Sequence, residues 1–182
     1  MNACQHPYDT PDVQSAFPGF NHIEIEEIFN RCFREIRTLL IGGADEPLYL
    51  PHDPSDGFAR IFYRSNFRSS ALHEISHWCI AGRTRLKQVD FGYWYAPDGR
   101  SAAQQSAFYQ LEVKPQALES IFSDAAGVPF HLSADNLNAD VDPKEFERFG
   151  SAVLRQKRDY LEGAMPPRAK RFLDALRGRS GL

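Results

Sequence analysis

The 182-residue chain reads as a single α+β domain, a small mixed β-sheet with an HExxH-bearing helix packed on it and further helices around the outside. Three observations lead there. Apolar residues recur at helical spacing over much of the chain, a few short aromatic and β-branched runs are bounded by turn residues, and the length and 42% apolar content suit one core. Residues 1–20 carry three prolines and no apolar period, so they read as a loose N-terminal arm ahead of one domain over 21–182.

From Asn21, the positions Ile25, Ile28, Phe29, Cys32, Phe33, Ile36, Leu39 and Leu40 follow helical spacing until Gly42-Gly43, predicting a first amphipathic helix. Residues 47–51 and 60–63 read as short strands joined by the turn chemistry of Asp53 to Gly57. A second helix is predicted over 69–81, capped by Ser69 or Ser70 and ended by Gly82. Gln88 to Ala96 alternates Val89, Phe91, Tyr93 and Tyr95 against Asp90, Gly92 and Trp94, the strongest strand signal in the chain. Ser101 opens a long helical pattern that Pro115 should kink or restart, because proline lacks the N–H owed to the Leu111 carbonyl. Two more helices are predicted, from Pro143 to about Glu162 and from Pro167 to Arg177.

Composition removes several function classes. The longest aliphatic run is Leu39-Leu40-Ile41, far short of the roughly 20 residues a membrane span needs. The first residues show neither a basic nor an apolar leader region, so a cytoplasmic protein is expected. Three scattered cysteines, Cys4, Cys32 and Cys79, form neither a disulfide framework nor a metal knuckle. A net charge of −3 gives no support to direct nucleic-acid binding, yet it conceals an acidic body and a basic stretch after residue 142. A binding module that docks an acidic protein or RNA on those basic helices is one reading, but it leaves the next motif unexplained.

Leu72-His73-Glu74-Ile75-Ser76-His77-Trp78 contains HExxH within a predicted helix. On a helix His73 and His77 lie about 40° apart, one turn up, so two imidazoles can converge on one metal ion. Leu72, Ile75 and Cys79 fall on the opposite, core-facing side, which rejects Cys79 as a ligand. An enzyme-type site needs a third protein ligand. His6, His22, His52 and His131 sit in the arm or in turns, so Glu112, 35 residues after His77, is the candidate, with Glu119 as a spare expected to be exposed. Two chemistries share this ligand set. A glutamate-type zincin would be a zinc hydrolase with Glu74 as general base for water. A two-histidine, one-carboxylate Fe(II) oxygenase needs no such base, leaving Glu74 to steady the site or touch substrate.

Four blocks of the sequence resemble the elongation factor P hydroxylase family: Asp45 to Pro51; Ala71 to Gly82; Val89 to Arg100; and Glu112 to Leu118. Weaker similarity continues through 127–176. The resemblance implies a bacterial enzyme that hydroxylates the β-lysylated lysine of elongation factor P, a protein-lysine hydroxylase of monooxygenase type using molecular oxygen. It maps His73, His77 and Glu112 to the metal site, with iron as the metal; the motif of 2-oxoglutarate dioxygenases is absent. Residues 21–182 would then be one catalytic domain, expected to act as a monomer. A doubly cationic lysyl-lysine favours an acidic, aromatic-walled cleft, which makes Asp90, Tyr93, Trp94 and Asp98 candidate substrate contacts against the competing reading of core packing. The basic Arg168, Lys170 and Arg171 are expected to meet an acidic surface of the protein substrate.

Overall fold

The computed structural model describes residues 19–90, 100–134 and 142–178. Helix α1 (His22–Cys32) starts at a capping box: the Glu24 N–H donates to the Asn21 side chain, and the Glu24 carboxylate accepts from the Asn21 N–H. It ends eight residues before the expected Leu40. After a 3₁₀ turn over Arg34–Ile36, Arg37 takes φ 53° and the chain enters strand β1 (Thr38–Ala44). Leu39 and Leu40 fit the helical period by coincidence; in β1 Thr38 and Leu40 are buried while Leu39 and Ile41 are half-buried, a two-residue alternation. The Asn30 side chain fixes this arrangement, accepting from the Leu40 N–H at 2.7 Å and donating to its carbonyl at 3.1 Å.

Strands β2 (Leu48–Leu50) and β3 (Ala59–Arg64) form where predicted. The sheet order is β1-β3-β2, with β1 parallel and β2 antiparallel to β3, so it is mixed as expected. The turn between β2 and β3 closes on itself, the Asp53 carboxylate accepting from Ser55 and that of Asp56 from the Phe58 N–H. Asp90 makes an antiparallel bridge to Tyr49 at the β2 edge, and the remainder of the strand expected over 88–96 lies outside the described residues.

Helix α2 (Arg68–Ile80) packs Ala71, Leu72, Ile75, Trp78 and Cys79 into the core, as expected of this face. Neither serine caps it. The residue at the cap position is Phe67, and the Ser70 hydroxyl instead accepts from the Arg64 N–H, tying the helix start to the end of β3. Its last turn stops at Ala81 in extended backbone, before Gly82.

Helix α3 (Ala102–Ala126) begins at the Ser101–Gln104 capping box and runs unbroken through Pro115, against the expected kink or restart. Ala117, Leu118, Ile121 and Phe122 are buried on it, and Leu111, whose carbonyl the proline leaves without a helical donor, is on the solvent side where that carbonyl can be hydrated. Helices α4 (Pro143–Asp159) and α5 (Pro167–Leu176) match their predicted spans to within three residues, joined through a wide turn in which Gly163 has φ 130°. The core gathers Phe29 and Phe33 of the α1 end, Trp78 of α2, Phe122 of α3 and Phe172 of α5, with ring centroids 4.7–5.8 Å apart in the pairs that carry it.

Three of the basic C-terminal residues have partners within the fold. Arg168 stacks over Trp78 at 4.6 Å and donates to the Cys79 and Ala81 carbonyls, capping α2, while Arg171 lies 3.6 Å from the Glu35 carboxylate and Lys157 pairs with Asp124. Of the three tail cations named from the sequence, Lys170 is the one that is exposed.

Candidate metal centre

Helix geometry sets His73 and His77 one turn apart on α2, and α3 crosses in front of them carrying Glu112. The two Nε2 atoms are 3.0 Å apart; His77 Nε2 is 3.2 Å from Glu112 Oε1 and His73 Nε2 is 3.8 Å from Glu112 Oε2. One donor atom from each residue falls within 4.8 Å of the others. Donors about 2.1 Å from a shared ion in an octahedral or tetrahedral arrangement sit roughly 3–3.4 Å from one another, so this set suits a metal ion in spacing and in donor type.

Two further side chains of α3 hold the cluster in place, and sequence reasoning missed the part each plays. Glu119, expected at the surface, is buried, and its Oε2 is 2.8 Å from His73 Nδ1. That contact makes His73 Nδ1 the donor and turns Nε2 toward Glu112 and His77. Gln116, 1% exposed, donates to Glu112 Oε2 at 3.4 Å and to the Ser133 carbonyl at 2.9 Å, and its own oxygen accepts from the Ser133 N–H. Glu112, Gln116 and Glu119 stand at i, i+4 and i+7, one stripe of the helix, which is the signal that could have found them.

The electrostatics follow from that packing. Burial opposes charge on His73, but the carboxylates around it, Glu119 first and then Glu112 and Glu74, together outweigh it and lift the imidazole to about 10. Burial likewise opposes ionisation of Glu112, and His77 followed by His73 overcomes it, holding the carboxyl at about 2. Glu74 is displaced upward, chiefly by burial, with the two histidines pulling the other way.

Of the expected substrate contacts, Asp90 borders the site: it lines a cavity together with Glu74, His77, Tyr49 and Trp78, and its carboxylate is paired with Arg85. Tyr93, Trp94 and Asp98 lie outside the described residues. No helix among the described residues is long and apolar enough to cross a membrane.

Comparison with known proteins points the same way as the motif blocks. The family model described as elongation factor P hydroxylase matches residues 28–179. A curated protein of Haemophilus influenzae, named elongation factor P lysine hydroxylase, is 48% identical over 154 residues, covering 84% of this chain and 85% of the relative.

Proposed function

This chain belongs to the elongation factor P hydroxylase family, and from that membership we propose that it hydroxylates the β-lysylated lysine of elongation factor P at an iron centre held by His73, His77 and Glu112. The observation that carries the proposal is the convergence of two Nε2 atoms and one carboxylate at ligand spacing inside a chain whose relatives are hydroxylases. Ferrous iron there would supply, with molecular oxygen, the redox chemistry that an unactivated C–H bond requires. The protein's share is positional. Glu119 sets the His73 tautomer, Gln116 steadies Glu112, and the apolar side of α2 seats both histidines against α3.

In this proposal the site is a zincin-like, helix-borne centre put to oxygenation, residues 21–182 form one catalytic unit behind the 1–20 arm, and the enzyme works in the cytoplasm. The zinc-peptidase reading, with Glu74 as general base, is not favoured, since both comparisons are to hydroxylases. Incubating β-lysylated factor aerobically with iron-loaded protein and a reductant should add the mass of one oxygen to the factor. No gain, under conditions where a verified family member works, would refute the activity. Tight stoichiometric zinc with Glu74-dependent peptide cleavage would restore the hydrolase.

Two predictions concern the metal. Replacing Glu119 with Ala removes the acceptor of His73 Nδ1 and is expected to weaken metal binding about 10–100-fold with the ligand set intact; a metal titration of the folded variant showing native affinity would exclude this positioning role. The second follows from the raised His73. With a value near 10 the metal-free protein carries an extra proton on His73 at pH 7, and a metal must displace it from Nε2. Metal uptake at pH 7 should release about one proton, and apparent affinity should rise about tenfold per pH unit until the pH approaches 10. Calorimetric titrations in buffers of different ionisation enthalpy test this, and identical heats in all buffers would contradict it.

A further inference from the structure

His77 borders a cavity that the three-ligand cluster does not use. Its volume is about 40 Å³, room for a few water-sized groups. Tyr49, Ile61, Trp78, Ala81 and Leu86 give it apolar walls, and two of these are fixed in place: the Tyr49 hydroxyl donates to the Leu86 carbonyl at 3.0 Å, and Trp78 is held under Arg168. Walls of this kind accept an alkyl chain.

The charge among its lining residues is unbalanced. Two carboxylates line the cavity, Glu74 and Asp90, and one cation, Arg85, which is bound to Asp90. The imidazoles near Glu74 are committed to Glu112 and Glu119. Glu74 forms no hydrogen bond and no ion pair with a lysine or arginine among the described residues, although it is half-buried on the helix that carries the ligands. A carboxylate left this way costs free energy until a donor reaches it.

We propose that this cavity is a receptor for a primary alkylammonium, its methylenes lying between Tyr49, Leu86 and Trp78 and its ammonium donating to Glu74. The proposal rests on the hydroxylase reading for the identity of the guest, the amine-bearing end of a lysyl side chain, but the preference for a cation belongs to the cavity. Glu74 is then a specificity-determining residue. By anchoring the ammonium next to His77, it fixes how far along the chain the reacting carbon stands from the cluster.

Ligand-observed NMR titration of the metal-loaded protein with n-butylammonium and with n-butanol tests the cavity without turnover. Wild type should bind the ammonium at least tenfold more tightly than the alcohol, a charge-assisted hydrogen bond being the difference. Glu74→Gln, nearly isosteric, should erase that preference while metal content stays stoichiometric. Ala81→Leu, which fills the slot without altering charge, should exclude both probes. Equal binding of amine and alcohol by wild type, native amine affinity in Glu74→Gln, or undiminished binding in Ala81→Leu would each overturn the proposal; if Glu74→Gln fails to fold, the other two comparisons decide. Amine preference without any oxygen insertion by wild type would count against the hydroxylase reading and leave the cavity assigned, whereas normal turnover without amine preference would do the reverse.

Discussion

Replacing His73 with alanine is expected to abolish metal binding and oxygen insertion together. The substitution removes one of three donors, a larger loss than that of a partner outside the ligand set, so metal affinity should fall by more than about 100-fold. Metal content of the purified variant and the intact mass of the treated factor measure the two effects, and unchanged oxygen insertion would remove the metal assignment. A second consequence separates the site from the scaffold. Glu119 is buried against His73 Nδ1, and truncating the imidazole strands its carboxylate at a cost of about 1–3 kcal/mol. Adding Glu119→Gln to His73→Ala takes away the stranded charge and should recover part of that stability while restoring neither metal nor activity. Recovery of activity in the double variant would mean that His73 serves the fold and not the chemistry.

What could be read from the chain depended on how local the cause was. HExxH states its own geometry, because the spacing of its histidines and its helical context are both local, and Leu72, Ile75 and Cys79 on the other face pointed to the core correctly. Glu112 emerged from counting ligands, and α3 does bring it to the histidines. Glu119 is not legible locally: its neighbours Leu118 and Ile121 suggest an outward position, whereas a helix packed on α2, α4 and α5 is buried on most sides and has room for a partnered carboxylate. The same distinction accounts for the fold. Strands β2 and β3 announce themselves by composition, but β1 hides inside the apparent period of the first helix, since Leu39 and Leu40 suit either period and the deciding contact, Asn30 with the Leu40 backbone, is formed between elements. Pro115 does not break α3, because the packing of the helix outweighs one lost hydrogen bond. Arg168, expected to meet an acidic surface of the protein substrate, is instead held by two carbonyls at the end of α2, a contact that only the packed fold creates.

The aromatic core joins the scaffold to the site. Phe29 has no solvent exposure and its ring meets Phe33 at 4.8 Å, Trp78 at 5.2 Å and Phe172 at 5.8 Å, joining α1, α2 and α5 at one point. Phe29→Ala would leave a cavity among these rings, and the expected loss is about 3–5 kcal/mol. For a domain of this length that corresponds to a melting temperature roughly 6–20 °C lower, read by calorimetry or circular dichroism on the metal-free protein. Trp78 follows His77 directly, so slack in its packing also loosens the placement of α2 against α3, on which the meeting of His73 and His77 with Glu112 depends. Metal binds the native arrangement, and saturating metal should therefore raise the melting temperature of the variant, but to a lower value than in wild type because the ligands must first be brought back into register. A loss below about 1 kcal/mol would show that the aromatic cluster does not hold these helices together, and the positioning argument for α2 would then have to rest on Glu119 and Gln116 alone.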